Sequence, residues 1–120
     1  MANPGHSQRF SPGDPAAREH LLDQGYAVFK SVVAPKQCSI SLGYFWDWIS
    51  VASDQKVVPG DVDTYHHWPT TVSKGAILAY QGIGQSEFCW SIRSQPKVIE
   101  AFATLWRNED LLTSFDGACV

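Results

Sequence analysis

The stretch Pro35-Lys-Gln-Cys-Ser-Ile-Ser-Leu-Gly-Tyr-Phe-Trp-Asp-Trp-Ile-Ser-Val-Ala52 carries the clearest periodicity in the chain. Cys38, Leu42, Phe45, Ile49 and Ala52 recur at steps of four, three, four and three, which puts them on one stripe of a helix. Pro35 suits the first turn, where the N–H it lacks would have no partner inside the helix anyway. Gly43 weakens the helix by about 1 kcal/mol relative to Ala without breaking the stripe.

Working outward, Asp14 reads as an N-cap, Pro15 as the first helical residue and Gly25 as the stop, which predicts a helix over 15–24. Tyr26-Ala-Val-Phe-Lys-Ser-Val-Val33 is β-branched and aromatic and predicts a strand. Residues 1–13 mix Gly, Pro, Ser and Asn with almost nothing apolar and read as a flexible leader. Downstream, 53–73 has no sustained period and reads as a long loop, of the kind that is functional or covered by other parts of a protein. An apolar, glycine-punctuated run over 75–84 leads into a short helix over 86–93. Pro96 opens another helix, with Val98, Phe102 and Leu105 on one face and Ile99 and Trp106 beside them. Leu111 to Val120 reads as a strand interrupted at Asp116-Gly117. Helices and strands mixed in this order predict an α+β class.

The chain has 120 residues, enough for one domain, with 44% hydrophobic and 18% charged residues, the reverse of the bias that keeps chains disordered. Five Trp, four Tyr and six Phe are a heavy load for this length, because each ring left in water forfeits a large burial term. That load predicts a piece of a larger body. A formal charge of −3 gives no positive field to gather phosphates, which argues against nucleic acid as a partner. No apolar run approaches the roughly 20 residues of a bilayer span, so no membrane is expected. Cys38, Cys89 and Cys119 form neither a zinc pair nor a disulfide framework and fit a reducing compartment, the cytosol.

Four patterns invite a chemical reading. Asp61, Asp63, His66 and His67 mix carboxylates with imidazoles as a metal site does, but adjacent His side chains point apart on any regular backbone, and a polar loop anchored by Trp68 explains them as well. Gly82-Ile-Gly84 before a helix lacks the third glycine of a dinucleotide turn; Glu87 stands there and would repel a pyrophosphate. No Gly-x-Ser-x-Gly elbow exists, and Ser86 and Ser114 suit a helix cap and a strand. Arg93 either clamps a carboxylate, stacks on Trp90 or caps its own helix. The His-x-acid that begins a non-haem iron triad is absent: two residues after His6, His20, His66 and His67 come Gln8, Leu22, Trp68 and Pro69. Ser114-Phe115-Asp116 has the acid without the histidine.

The order of elements carries more than any single motif. Leu21-Leu-Asp-Gln-Gly-Tyr-Ala-Val-Phe29, followed by Val32-Val-Ala-Pro-Lys-Gln-Cys38, resembles the N-terminal segment of phytanoyl-CoA dioxygenase-like proteins. Gly82-Ile-Gly-Gln-Ser-Glu-Phe-Cys-Trp90, Ile92-Arg93, Pro96-Lys-Val98, Phe102, Leu105-Trp106, Asp110-Leu-Leu112 and Ser114-Phe-Asp-Gly117 resemble the region upstream of the iron site in a fungal-type branch. The resemblance spans 17–120. It implies the N-terminal helices and first strands of an incomplete double-stranded β-helix, or jelly roll, with 14–120 as part of one domain truncated before the metal site. It also implies Fe(II) and 2-oxoglutarate as cofactors of the intact family and a small molecule as substrate. None of the family's ligands carries over, so no catalytic, cofactor or metal residue is assigned and no cofactor is expected for this chain alone. Trp90, Arg93 and Asp116 are the candidates for lining a pocket. Three expectations follow: an inactive dioxygenase fragment, a non-catalytic interaction module on the same scaffold, or a metal-binding protein built on Asp61, Asp63, His66 and His67.

Overall fold

The computed structural model describes residues 8–69, 73–74, 77–78, 82–114 and 117–119. The first helix has Pro15 rather than Asp14 at its N-cap, but Asp14 still bonds the first turn. Its Oδ1 accepts from the Ala16 N–H at 3.0 Å, Pro15 follows, and α1 runs Ala16–Gln24. Gly25 closes it at φ 80°, a left-handed turn that L side chains resist, and its N–H bonds the Leu21 carbonyl at 2.9 Å. Helix α2 is Pro35–Ala52, α3 is Glu87–Arg93 and α4 is Pro96–Trp106. The strands are two residues each: β1 (Arg9–Phe10), β2 (Val28–Phe29), β3 (Ser73–Lys74), β4 (Ile77–Leu78) and β5 (Ala118–Cys119). The class is α+β, mostly helical with small sheets.

The chain forms two compact units. One is built from residues 8–34 and 94–112, the other from 35–93 and 113–119. In the first, β1 and β2 pair in parallel, Arg9 with Val28 and Phe10 with Phe29, and α1 packs on α4. Phe10 and Ala17 are buried, and the His20 ring lies 5.2 Å from each of the Phe10 and Tyr26 rings. Among the described residues His20 Nε2 is a buried side-chain atom without a hydrogen-bond partner. Within 1–13, Arg9–Phe10 form a short strand and the Phe10 ring is buried. Residues 1–7 lie outside the described residues.

The second unit joins α2 to α3 and holds an antiparallel sheet in the order β3-β4-β5, with Ser73 opposite Leu78 and Ile77 opposite Cys119. Its core is Phe45, Ile49, Val57 and Leu78, with Trp46, Trp48, Tyr65, Trp68, Phe88 and Ala118 packed on it. Much of the aromatic load thus finds partners. Phe45 and Phe88 meet edge to face at 5.2 Å, and Trp46 stacks on Tyr65 at 6.1 Å.

Three sequence readings shift. The α2 stripe holds in its second half, where Phe45 and Ile49 are buried and Ala52 is half-buried, and fails in its first, where Ser41 is buried while Cys38 and Leu42 are exposed. Ser41 tolerates burial because Ser91 of α3 meets its hydroxyl at 2.7 Å. The predicted 26–33 strand shrinks to Val28–Phe29, and among the described residues of 111–120 the strand is Ala118–Cys119. On α4 the buried residue is Ala101, and Phe102 is turned outward.

Candidate functional site

Two of the three pocket candidates, Trp90 and Arg93, stand three residues apart on α3 and meet on one face of it. The turn before α3 sets them. Gly82 takes φ 75°, residues Ile83–Gln85 make one turn of 3-10 helix, and Ser86 Oγ accepts from the Cys89 N–H at 3.3 Å as the cap. Gln85 Oε1 accepts from the Trp90 indole N–H at 3.1 Å. The Arg93 guanidinium carbon lies 5.3 Å from the Trp90 ring centroid, a cation–π contact, and Nη1 donates to the Gly84 carbonyl. The stacking alternative for Arg93 is realised, whereas its hydrogen bond goes to a carbonyl before α3 and does not cap the end of its own helix. Trp90 remains 42% exposed, so the pair forms a half-open platform of indole and guanidinium. Asp116 lies outside the described residues.

The Asp61 to His67 segment folds as a 3-10 helix over Val62–His67. Asp61 Oδ1 accepts from the Asp63 N–H at 3.2 Å, so this carboxylate is the helix cap. Thr64 Oγ1 donates to the Asp61 carbonyl at 2.7 Å and accepts from the Val58 N–H at 2.9 Å, which closes the loop. His66 Nδ1 lies 2.6 Å from the Asp63 carbonyl; a carbonyl only accepts, so Nδ1 carries the proton. Contrary to the expectation that adjacent His side chains point apart, the His66 and His67 rings are 3.8 Å apart between centroids, and both residues are exposed. Desolvation by the surrounding loop, then the His66 and Lys56 charges, hold the His67 imidazole below its ordinary 6.5. Trp68 anchors the segment against Phe45, Trp46 and Tyr65 at 6.2–6.3 Å.

Among the described residues no three His, Cys, Asp or Glu side chains converge as a metal site. A non-haem iron centre needs two imidazoles and a carboxylate on one face. The residues present do not fit that group, since the Asp61 carboxylate is spent on a cap, no such set of side chains converges among the described residues, and no His-x-acid occurs in the sequence. Sequence reasoning missed the Gln85–Trp90 bond and the Ser41–Ser91 bond. The first joins residues five apart across a cap, and the second joins residues 50 apart, which no local pattern signals.

Among the described residues this geometry shows an aromatic core and no convergent set of metal-ligating side chains, so relatives decide the class. A protein of Aspergillus versicolor named "Ava biosynthesis cluster protein O" is 28% identical over 105 residues, covering 83% of this chain and 32% of its own length. A Dictyostelium discoideum protein named "Putative phytanoyl-CoA dioxygenase" is 28% identical over 102 residues, 79% of this chain and 28% of its own length. The chain is thus a distant relative of phytanoyl-CoA dioxygenase-like proteins, and it spans about a third of the length of the curated relatives it matches. No family model matches the chain, and no solved structure matches it. No helix among the described residues is long and apolar enough to cross a membrane.

Proposed function

We propose that these 120 residues are the entry portion of a non-haem Fe(II)- and 2-oxoglutarate-dependent dioxygenase. They supply the outer helices and first strands of a double-stranded β-helix, and the His-x-acid and distal His come from polypeptide beyond them. Alone, the chain has no oxygenase activity. The observation that carries this reading is the match to two proteins about three times as long, one of them named as a phytanoyl-CoA dioxygenase, by a sequence in which no His-x-acid occurs. In the longer protein the substrate is a small molecule and the compartment is the cytosol, where cysteine thiols stay reduced.

The purified chain, supplied with Fe(II), 2-oxoglutarate, ascorbate and O2, is expected to form no succinate above the protein-free rate. Sustained succinate formation that is abolished by His66→Ala or His67→Ala overturns the reading. A second reading, a non-catalytic interaction module on the same scaffold, is favoured by one observation: Phe102 and Trp106 on α4 are 54% and 71% exposed.

A further inference from the structure

Two imidazoles meet where a regular backbone would separate them. Neighbouring residues on a 3-10 helix point about 120° apart, yet the His66 and His67 ring centroids lie 3.8 Å from each other, with the planes inclined at 46°. Both side chains are exposed, so the pair is open to solutes. His66 Nδ1 donates to the Asp63 carbonyl at 2.6 Å, which leaves Nε2 as the lone-pair nitrogen of the neutral ring. A histidine that ligates a metal is characteristically held this way, with its other ring N–H given to a carbonyl or a carboxylate. The backbone beneath the pair is braced as well. Asp61 Oδ1 accepts from the Asp63 N–H, Thr64 Oγ1 donates to the Asp61 carbonyl, Tyr65 Oη accepts from the Gly60 N–H at 3.2 Å, and the Trp68 N–H donates to the Tyr65 carbonyl at 3.0 Å.

We propose that His66 and His67 form a two-nitrogen site for a divalent transition metal that favours right-angle coordination, Cu(II) foremost. Ring spacing selects that class. With about 2.0 Å from metal to each nitrogen, right-angle bonding sets two imidazole centroids about 4.5 Å apart, and tetrahedral bonding sets them about 5.1 Å apart. From 3.8 Å, the first asks the exposed rings to part by about 0.7 Å and the second by about twice as much. Tetragonal geometry with nitrogen donors belongs to Cu(II) and Ni(II), and the general affinity order of divalent metals puts Cu(II) above Ni(II) and Zn(II). Asp61 is engaged as a cap and no third ligating side chain converges among the described residues, so water fills the remaining positions. This donor set differs from that of a non-haem iron centre, which includes a carboxylate. The Lys56 charge acts on His67 and opposes a second cation, which keeps the affinity modest. The proposal concerns this 3-10 segment alone and stands whether or not the chain precedes an iron site.

Isothermal titration of the purified chain with Cu(II), at mildly alkaline pH in a buffer that does not bind metal, tests it. A saturable site is expected, with Zn(II) bound at least about tenfold more weakly. His66→Ala and His67→Ala should each raise the dissociation constant for Cu(II) at least about tenfold, because either change leaves a single nitrogen. Far-UV circular dichroism, expected to be unchanged because both residues are exposed, confirms that the variants fold. Electron paramagnetic resonance of the parent complex gives a readout that needs no variant: a tetragonal Cu(II) signal split by two equatorial nitrogens. Absence of binding, binding that survives either variant, or binding that His6→Ala removes instead overturns the proposal. So does Zn(II) bound as tightly as Cu(II), or a spectrum without nitrogen splitting.

Discussion

Arg18 Nε donates to the Leu105 carbonyl at 3.1 Å, so a cation on α1 closes the C-terminal end of α4 across 87 residues of sequence. The contact is partly buried, and the carbonyl it satisfies is one of those a helix end leaves without an internal partner. Positive charge there also complements the helix dipole. The bond ties the two helices of the first unit, α1 and α4, to each other.

Arg18→Met keeps the aliphatic stem and removes the donor, so it should destabilise the chain by about 1–2 kcal/mol. Urea unfolding followed by circular dichroism measures the loss. An unchanged midpoint would mean that the helices hold together by packing alone.

The stripe on α2 has its own check. Ile49 is fully buried and Leu42 is 53% exposed, although the sequence stripe places them together. Ile49→Ala should cost about 2–5 kcal/mol, while Leu42→Ala stays within about 0.5 kcal/mol. Equal losses would mean that Leu42 is as buried as Ile49.

Between α2 and α3, the Ser41 and Ser91 hydroxyls meet at 2.7 Å, with Ser41 only 2% exposed. Ser91→Ala strips a partner from a buried hydroxyl and should cost about 1–2 kcal/mol, measured by thermal or urea unfolding. Substituting both serines by Ala should cost less than the sum of the single losses, because each single change removes the same bond.

His67 provides a pH-dependent signature. Its folded value lies below the ordinary 6.5, so the unfolded chain binds the proton more readily. This contribution to stability is complete above pH 6.5 and is lost as pH falls through the lowered folded value. NMR titration of the His67 ring should give a midpoint below 6.5, moving up in His66→Ala as the neighbouring charge is removed.

What was legible in the sequence was local. Asp14, Pro15 and Gly25 mark the ends of α1, and Pro35 and Pro96 open α2 and α4, because caps and prolines act through bonds a few residues long. The Trp90–Arg93 platform was legible for the same reason, being an i, i+3 pair. What was not legible depends on distant partners. Ser41 turns inward because Ser91 waits 50 residues away, and Phe10 is buried where β1 pairs with β2. The exposure of Phe102 and Trp106 belongs to the same category: their hydrophobicity was plain, and their orientation was not.

The central claim is that these residues precede the iron ligands of a longer dioxygenase-type protein, and full-length transcript sequencing at the locus tests it most directly. The account predicts a reading frame that continues past Val120 through a His-x-Asp or His-x-Glu and a later His. Transcripts that all stop at Val120, with no such motif in frame beyond it, would contradict it.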